Sequence, residues 1–88
     1  MILNPGFKVV NVAGEYLAIP VGDKKVSFSG MISLNEATAF LLEQMNTPKT
    51  EEELVALLTE EYDVDAQTAT ADVKKAMQTL LDAGVVLA

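Results

Sequence analysis

VSFSGMISLNE, residues 26–36, joins a strand pattern directly to the start of a helix. Alternate side chains of a strand lie on one face. One face of this strand is apolar and consists of Val26, Phe28, Ile32 and Leu34. The other face carries three serines and Met31. The segment therefore predicts a strand with one buried face, and it leaves open what lies against the second face.

Two more strands are predicted before this segment. Residues 7–12 (FKVVNV) and 15–20 (EYLAIP) are rich in strand-forming side chains, and Ala13 and Gly14 between them fit a tight hairpin turn. A second turn at 21–25 leads into the third strand, at about 26–34. Three strands joined in this way form a meander whose third strand lies at the sheet edge. Gly30 within it predicts a bulge or a close backbone approach.

Three helices are predicted after the sheet, at about 36–46, 51–62 and 66–83. Ser33 with Glu36 fits a capping box for the first helix, and Asn35 is an equally good cap by itself. The same patterns place Thr50 with Glu53 at the second start and Asp65 at the third. Gly84 fits the end of the last helix, and 85–87 form an apolar tail expected to pack on the core. The predicted fold is α+β and winged helix-turn-helix-like, with a three-stranded antiparallel meander followed by a three-helix bundle in a single domain, 1–88.

Composition argues against an enzyme. The 88-residue chain contains no histidine and no cysteine, which removes the commonest general base, the commonest metal ligand and thiolate chemistry. Neither GxGxxG nor GxxxxGK is present. Glutamates 51–53 suit a helix N-terminus, and Asp63 with Asp65 lacks the other residues of an EF-hand loop. We therefore expect no catalytic activity, no cofactor and no metal.

Charge argues against nucleic acid as a partner. The net charge is −7: residues 1–34 sum to +1, whereas residues 35–88 carry three lysines against eleven acids and sum to −8. The last two helices resemble a helix-turn-helix, so a winged-helix DNA-binding regulator is one alternative function. Nucleic-acid binding depends on cationic contacts to phosphate. Lys74 and Lys75 are too few, and we expect no nucleic-acid partner.

The chain also lacks the features of membrane or exported proteins. No apolar run approaches the roughly 18 residues of a membrane span, and the first residues, MILNPGFK, lack a signal-peptide pattern. We expect a cytoplasmic protein with no membrane contact.

The third strand offers a free edge. Residues 31–34 carry no charge, although natural edge strands are usually protected by lysine, proline or a bulge. An unprotected edge can accept a peptide as an added strand. Two alternatives remain: a short edge that meets only water, and a self-associating module, a homodimer, that pairs this strand with a second copy.

Several stretches in order resemble the PqqD-like family. They are YLAIP (16–20), MISLNEATAFL (31–41), TEEEL (50–54), EYDV (61–64), ADV (71–73) and LLDAGVV (80–86). Each is degenerate alone, but their order and spacing cover nearly the whole chain. The resemblance implies a peptide-binding module, the recognition element or peptide chaperone of ribosomally synthesised and modified peptides. Such a module holds the leader of a precursor peptide and presents it to a maturase, commonly a radical SAM enzyme; the founding member acts in pyrroloquinoline quinone biosynthesis.

The resemblance also implies where the leader binds. It adds to the third strand and lies between that strand and the third helix. The strand residues carried over by position are Phe28, Ser29, Gly30, Met31, Ile32 and Ser33. The helix residues are Thr70, Val73, Lys74 and Met77. Core packing is the alternative for Val73 and Met77, and for Val73 it is the preferred one.

Overall fold

The computed structural model describes residues 1–21 and 31–88. These contain, in chain order, β1 (Ile2–Leu3), β2 (Phe7–Val12), β3 (Glu15–Pro20), β4 (Ile32–Leu34), α1 (Glu36–Glu43), α2 (Glu51–Glu61), α3 (Ala66–Asp82) and β5 (Val86–Leu87). Strands β2, β3 and β4 form an antiparallel sheet in that order. This sheet and the three helices confirm the predicted α+β fold.

The hairpin of β2 and β3 turns at Ala13 and Gly14. Val12 pairs with Glu15, so the loop has two residues, and both have positive φ, +54° and +86°. Positive φ at both positions is the type I′ geometry, which matches the strand twist. The Asn11 side-chain oxygen accepts a hydrogen bond from the Gly14 N–H at 3.0 Å. Glycine adopts this conformation freely, but alanine does so against a steric cost.

Strand β4 is the described part of the predicted third strand. Ile32 pairs with Ala18 and Leu34 with Tyr16, which places β4 antiparallel to β3. Ile32 and Leu34 are half-buried against the core, whereas Ser33 is exposed. The alternation predicted from the sequence is confirmed for these residues. The preceding half, 26–30, with the predicted bulge at Gly30, lies outside the described residues.

The junction between β4 and α1 corrects one prediction. The Asn35 side chain accepts the Thr38 N–H at 2.7 Å and forms the N-cap. The capping box of Ser33 with Glu36 is wrong, because Ser33 lies inside β4 opposite Leu17, two residues before the helix cap. Helix α1 also ends at Glu43, three residues earlier than predicted, since residues 44–46 form a turn.

The ends of α2 and α3 follow the predicted chemistry. At the start of α2, Thr50 and Glu53 exchange side-chain to backbone hydrogen bonds of 3.0 and 3.1 Å, a complete capping box. Asp65 caps α3 by accepting the Thr68 N–H at 2.7 Å. After α3, Gly84 has φ +79° and donates its N–H to the Leu81 carbonyl at 3.1 Å. The Val85 N–H reaches the Leu80 carbonyl at 2.9 Å, which completes a Schellman motif.

The core lies between one face of the sheet and the three helices. Its buried members are Ala18, Leu41, Leu42, Met45, Leu54, Leu58, Ala69, Val73, Met77, Leu80, Val85 and Val86. Phe40 and Tyr62 join α1 to the end of α2 at its margin, with ring centroids 5.9 Å apart and an edge-to-face angle of 80°. One apolar stripe from each helix therefore meets the inner face of the sheet.

A second, two-stranded sheet joins the two ends of the chain. Ile2 pairs with Leu87 and Leu3 with Val86, and the Asn4 side-chain amide donates to the Gly84 carbonyl at 2.8 Å. The apolar tail does pack on the core, as predicted, since Val85 and Val86 are buried. Its pairing with β1 was not predicted, because two-residue strands are too short to show a period.

Among the helices of the described residues, none has the length and apolar character to cross a membrane.

Candidate functional site

A groove of about 390 Å³ lies beside β4 and is closed by α1 and α3. It is lined by Ile32, Ser33, Leu34, Asn35, Ala37, Thr38, Leu41, Leu58, Asp72, Lys75, Ala76, Thr79 and Leu80. Strand β4 forms one wall, and α3 forms the facing wall. The groove is therefore the space between strand and helix that the family resemblance implies.

The groove has an apolar floor and a polar rim. Its deepest side chains are the buried Leu41, Leu58 and Leu80. Asp72, Lys75 and Thr79 are exposed along the α3 wall and provide one acid, one base and one hydroxyl. Concave sites that bind small segments commonly combine an apolar lining with a few polar groups that set orientation. This arrangement suits an apolar side chain carried by a segment with a polar backbone.

The β4 edge adds backbone hydrogen-bonding groups to the groove. In the described sheet, β4 has a neighbour only on its β3 side. Alternate residues of an antiparallel strand point their N–H and C=O groups away from that neighbour. Ile32, Ser33 and Leu34 include no lysine and no proline, the usual protections of an edge. The edge and the groove together can hold both the backbone and the side chains of an extended peptide.

The strand residues expected from the sequence are brought to this site as far as the structure describes them. Ile32 and Ser33 line the groove, and Met31 directly precedes β4 with 42% of its surface exposed. Phe28, Ser29 and Gly30 lie outside the described residues. Peptide binding by all six remains a prediction.

The four helix residues expected from the sequence do not reach the groove. Val73 and Met77 are 0% and 2% exposed and belong to the core. Thr70 and Lys74 line a different cavity on the α2 side of α3, together with Glu51, Glu52 and Val55. The structure thus places these four residues away from the groove, because α3 turns its other flank toward β4.

The α3 residues that line the groove were not predicted from the sequence. They are Asp72, Lys75, Ala76, Thr79 and Leu80. Positions 72, 76 and 79 follow one helical flank at spacings of four and three. The apolar stripe locates both flanks of a helix, but only the packing of α3 against β4 shows which flank faces the strand. The sequence indicated Asn35 only as a helix cap and did not single out Thr38. The structure places both residues at the groove, where the Thr38 N–H donates to the Asn35 side chain.

Two carboxylates of the helical half act as caps. The Thr50 backbone N–H, the largest influence, lowers the pKa of Glu53 below its ordinary value. The hydrogen bond from the Thr68 N–H likewise lowers the pKa of Asp65.

Partial burial and then the nearby Glu36 carboxylate raise the pKa of Tyr62. In the described residues no group of three or more acids could hold a metal ion.

The charged surface does not suit DNA. Five glutamates of α2 are exposed, and α3 carries two lysines against Asp72 and Asp82. A recognition helix must approach phosphates with a net positive surface. The helix pair therefore disfavours the alternative of a DNA-binding regulator.

Comparison with known proteins agrees with this geometry. The family model for coenzyme PQQ synthesis protein D (PqqD) matches residues 10–86, and the chain belongs to this family. No curated protein matches the sequence. A solved structure, "TbiB1 in Complex with the TbiA(beta) Leader Peptide", has the same fold, with a TM-score of 0.73 and 16% identity over 97% of this chain and 93% of that one.

Proposed function

We propose that this member of the PqqD family binds the leader segment of a ribosomal precursor peptide. The leader adds to β4 as a further strand and directs alternate side chains into the groove. The observation that carries the proposal is an uncharged strand edge beside an apolar groove of about 390 Å³. The similarity to a protein solved with a leader peptide supports it.

The backbone of the leader would contact β4, and its side chains would contact α3. Strand addition gives affinity through main-chain hydrogen bonds, and pockets for alternate side chains give specificity. We assign the backbone contacts to Ser33, whose N–H and C=O point to the free edge, together with 28–31 as expected from the family. Ile32 contributes its side chain to the groove. We assign the side-chain contacts to Asp72, Lys75, Ala76 and Thr79 in place of Thr70, Val73, Lys74 and Met77.

We further propose that the chain presents the bound leader to a maturase and does not itself catalyse a reaction. The family resemblance implies a radical SAM enzyme as that maturase. The presenting role can be tested by measuring how fast a candidate radical SAM enzyme turns over a candidate full-length precursor peptide, both chosen from neighbouring genes, with and without the domain. Equal rates in both reactions would exclude the presenting role while leaving leader binding intact.

Strand addition can be tested by replacing Ser33. The two-residue loop makes Val12 and Glu15 a hydrogen-bonded pair, so Leu17 bonds to β2, and Ser33 opposite Leu17 points its N–H to the free edge. Ser33→Pro removes that donor, and Ser33→Ala is the matched control that keeps it. Titration with a fluorescent synthetic leader from that precursor should show at least about a tenfold loss of affinity for Ser33→Pro, since a backbone hydrogen bond and the strand geometry are both lost. Ser33→Ala should stay within about threefold.

Amide hydrogen exchange provides a readout that does not depend on a variant. The outward-pointing amides of β4 should exchange quickly in the free domain and about tenfold more slowly with the leader bound. A leader that binds without slowing any amide of 32–34 would exclude strand addition and leave peptide binding elsewhere.

The helix flank is tested with two alanines of α3. Ala76 is half-buried at the groove, and Ala71 is exposed on the same helix outside it. Ala76→Gln should fill the groove and weaken leader binding about tenfold, while Ala71→Gln should leave it unchanged. Lys74→Ala should also leave it unchanged. Loss of binding in Lys74→Ala with normal binding in Ala76→Gln would favour the opposite flank.

A further inference from the structure

The sheet has a second face that the core does not use. Paired residues of an antiparallel sheet place their side chains on the same face, and Val10 pairs with Leu17 while Val9 pairs with Ala18. The Val9 and Ala18 side chains meet the core. The opposite set, which we call the outer face, consists of Lys8, Val10, Val12, Glu15, Leu17 and Ile19 of β2 and β3, with Ser33 of β4 opposite Leu17.

The centre of the outer face is apolar and uncovered by the described residues. Val12 is 56% exposed, and Val10, Leu17 and Ile19 are only half-buried. None of these four belongs to the core or to the side chains packed against it. A sheet with one solvated face normally alternates apolar with polar residues. Apolar residues on both faces indicate that something covers the second face.

The two charges of the outer face lie at opposite ends of the hairpin. Lys8 is opposite Ile19, and Glu15 begins β3 opposite Val12. The two ends are four residues apart, or about 13 Å along a strand. A two-fold axis that lies between the two sheets, parallel to their planes and perpendicular to the strands, would reverse the strand direction of a second copy. Lys8 of each copy would then come to the end that carries Glu15 of the other, so the face is complementary to itself.

The charge of the rest of the chain favours the same approach. Residues 35–88 sum to −8, whereas residues 1–34 sum to +1. A second copy is repelled by contact between helical halves and is least repelled at the sheet. By symmetry, a second copy places an opposite charge at each end of the hairpin. An unrelated partner would have to carry both charges independently.

We propose that the outer face is a self-association site, in which two copies pack sheet against sheet about a two-fold axis. Aligned sheets of this kind pack about 10 Å apart. The three short strands cover about 20 Å by 14 Å, or about 280 Å². This area is small beside the roughly 800 Å² of surface that each partner buries in a stable complex. The dimer is therefore weak and depends on concentration. It leaves the β4 edge and the groove open, so each copy can still hold a peptide.

Sedimentation equilibrium from about 1 μM to about 1 mM tests the proposal with a charge exchange. Wild type should dimerise within this range. Lys8→Glu and Glu15→Lys should each weaken dimerisation about tenfold, because each gives both ends of the hairpin one sign. The double variant should return to within about threefold of wild type. Circular dichroism would establish that each exposed substitution leaves the fold intact.

Two further variants separate this dimer from one formed through the β4 edge. Val10→Lys places a charge in the centre of the outer face and should abolish the dimer. Ile32→Pro disturbs the pairing of β4 with β3 and so the β4 edge, and it should preserve the dimer. The reverse result would assign the dimer to the edge and overturn the proposal. A wild-type monomer at about 1 mM, or a double charge variant that stays monomeric, would overturn it as well.

Discussion

The helical half of this domain and its sheet half differ in how far local side-chain contacts define the backbone. Each helix begins with a side-chain cap, from Asn35, Thr50 and Asp65, and α3 ends in a Schellman motif. The hairpin instead turns through Ala13, which has a φ of +54°, and β4 has only three residues. The helices are locally well defined, and the sheet is held mainly by what packs on it.

The residues that stabilise the fold are largely different from those that form the surfaces for binding. The helices supply most of the buried core, whereas the sheet half supplies the free edge, one wall of the groove and the outer face. Surfaces that bind partners are commonly drawn from less stable regions. Substitutions in the buried stripes of the helices should therefore act on folding, whereas those at the β4 edge, on the outer face and on the groove flank of α3 should act on association.

The largest expected effect compares two methionines. Met77 of α3 is 2% exposed and Met31 before β4 is 42% exposed. Met77→Ala should lower the free energy of unfolding by about 3 kcal/mol, because it leaves a cavity in the core. Met31→Ala should change it by less than about 0.5 kcal/mol. Urea denaturation followed by circular dichroism measures both.

Leader titration completes this comparison. Folded Met77→Ala should keep the wild-type affinity, since Met77 does not line the groove. A loss of affinity in folded Met77→Ala would mean that the core stripe of α3 contributes to leader binding, and the assignment of binding to the groove flank of α3 would not hold.

Substitutions at two positions with positive φ should have smaller effects on stability, and the two effects should have opposite signs. Gly84→Ala should cost about 1 kcal/mol, because its φ of +79° strains any residue with a side chain. Ala13→Asn should stabilise the hairpin by up to about 1 kcal/mol, since asparagine tolerates this conformation. Thermal unfolding of both variants checks the signs. A destabilised Ala13→Asn would show that the hairpin turn is already optimal.

The smallest expected effect is a dependence on pH in the helical half. Folding lowers the pKa of Asp65 below its ordinary value of 3.8, because the carboxylate accepts the Thr68 N–H. The stabilisation is complete above pH 3.8 and is lost as the pH falls below that value toward the folded pKa. Asp65→Asn keeps a cap that does not titrate.

Acid titration of both proteins measures this effect. Between pH 7 and 5 the difference in stability between the two proteins should be constant, and below pH 3.8 the variant should lose stability less steeply. Parallel curves throughout this range would mean that the Asp65 carboxylate contributes nothing by its charge.

Features set by neighbouring residues could be predicted from the sequence. The turn at Ala13 and Gly14 and the cap at Thr50 depend on side chains within three residues, so their chemistry is visible in the chain. The prediction failed where a second element competed. Ser33 had the right spacing from Glu36 for a box, but pairing with Leu17 holds it in β4.

The site was harder to predict because it depends on packing. The apolar stripe of α3 through Val73 and Met77 was recognised, but its two flanks are both polar and look alike in sequence. Lys74 and Lys75 are adjacent, yet one lies on the α2 side and the other at the groove. Only the angle at which α3 crosses the sheet decides between them.

The pairing of β1 with β5 has a consequence for the order of folding. It joins residues up to 85 positions apart, a sequence separation close to the largest possible in 88 residues. The chain must lose conformational entropy to close so long a loop before the contact can form. During synthesis, β1 lacks its partner until residue 87 has left the ribosome, and the core lacks Val85 and Val86. The hairpin and the helices can assemble earlier, but the core closes last at the seam where the two terminal strands meet.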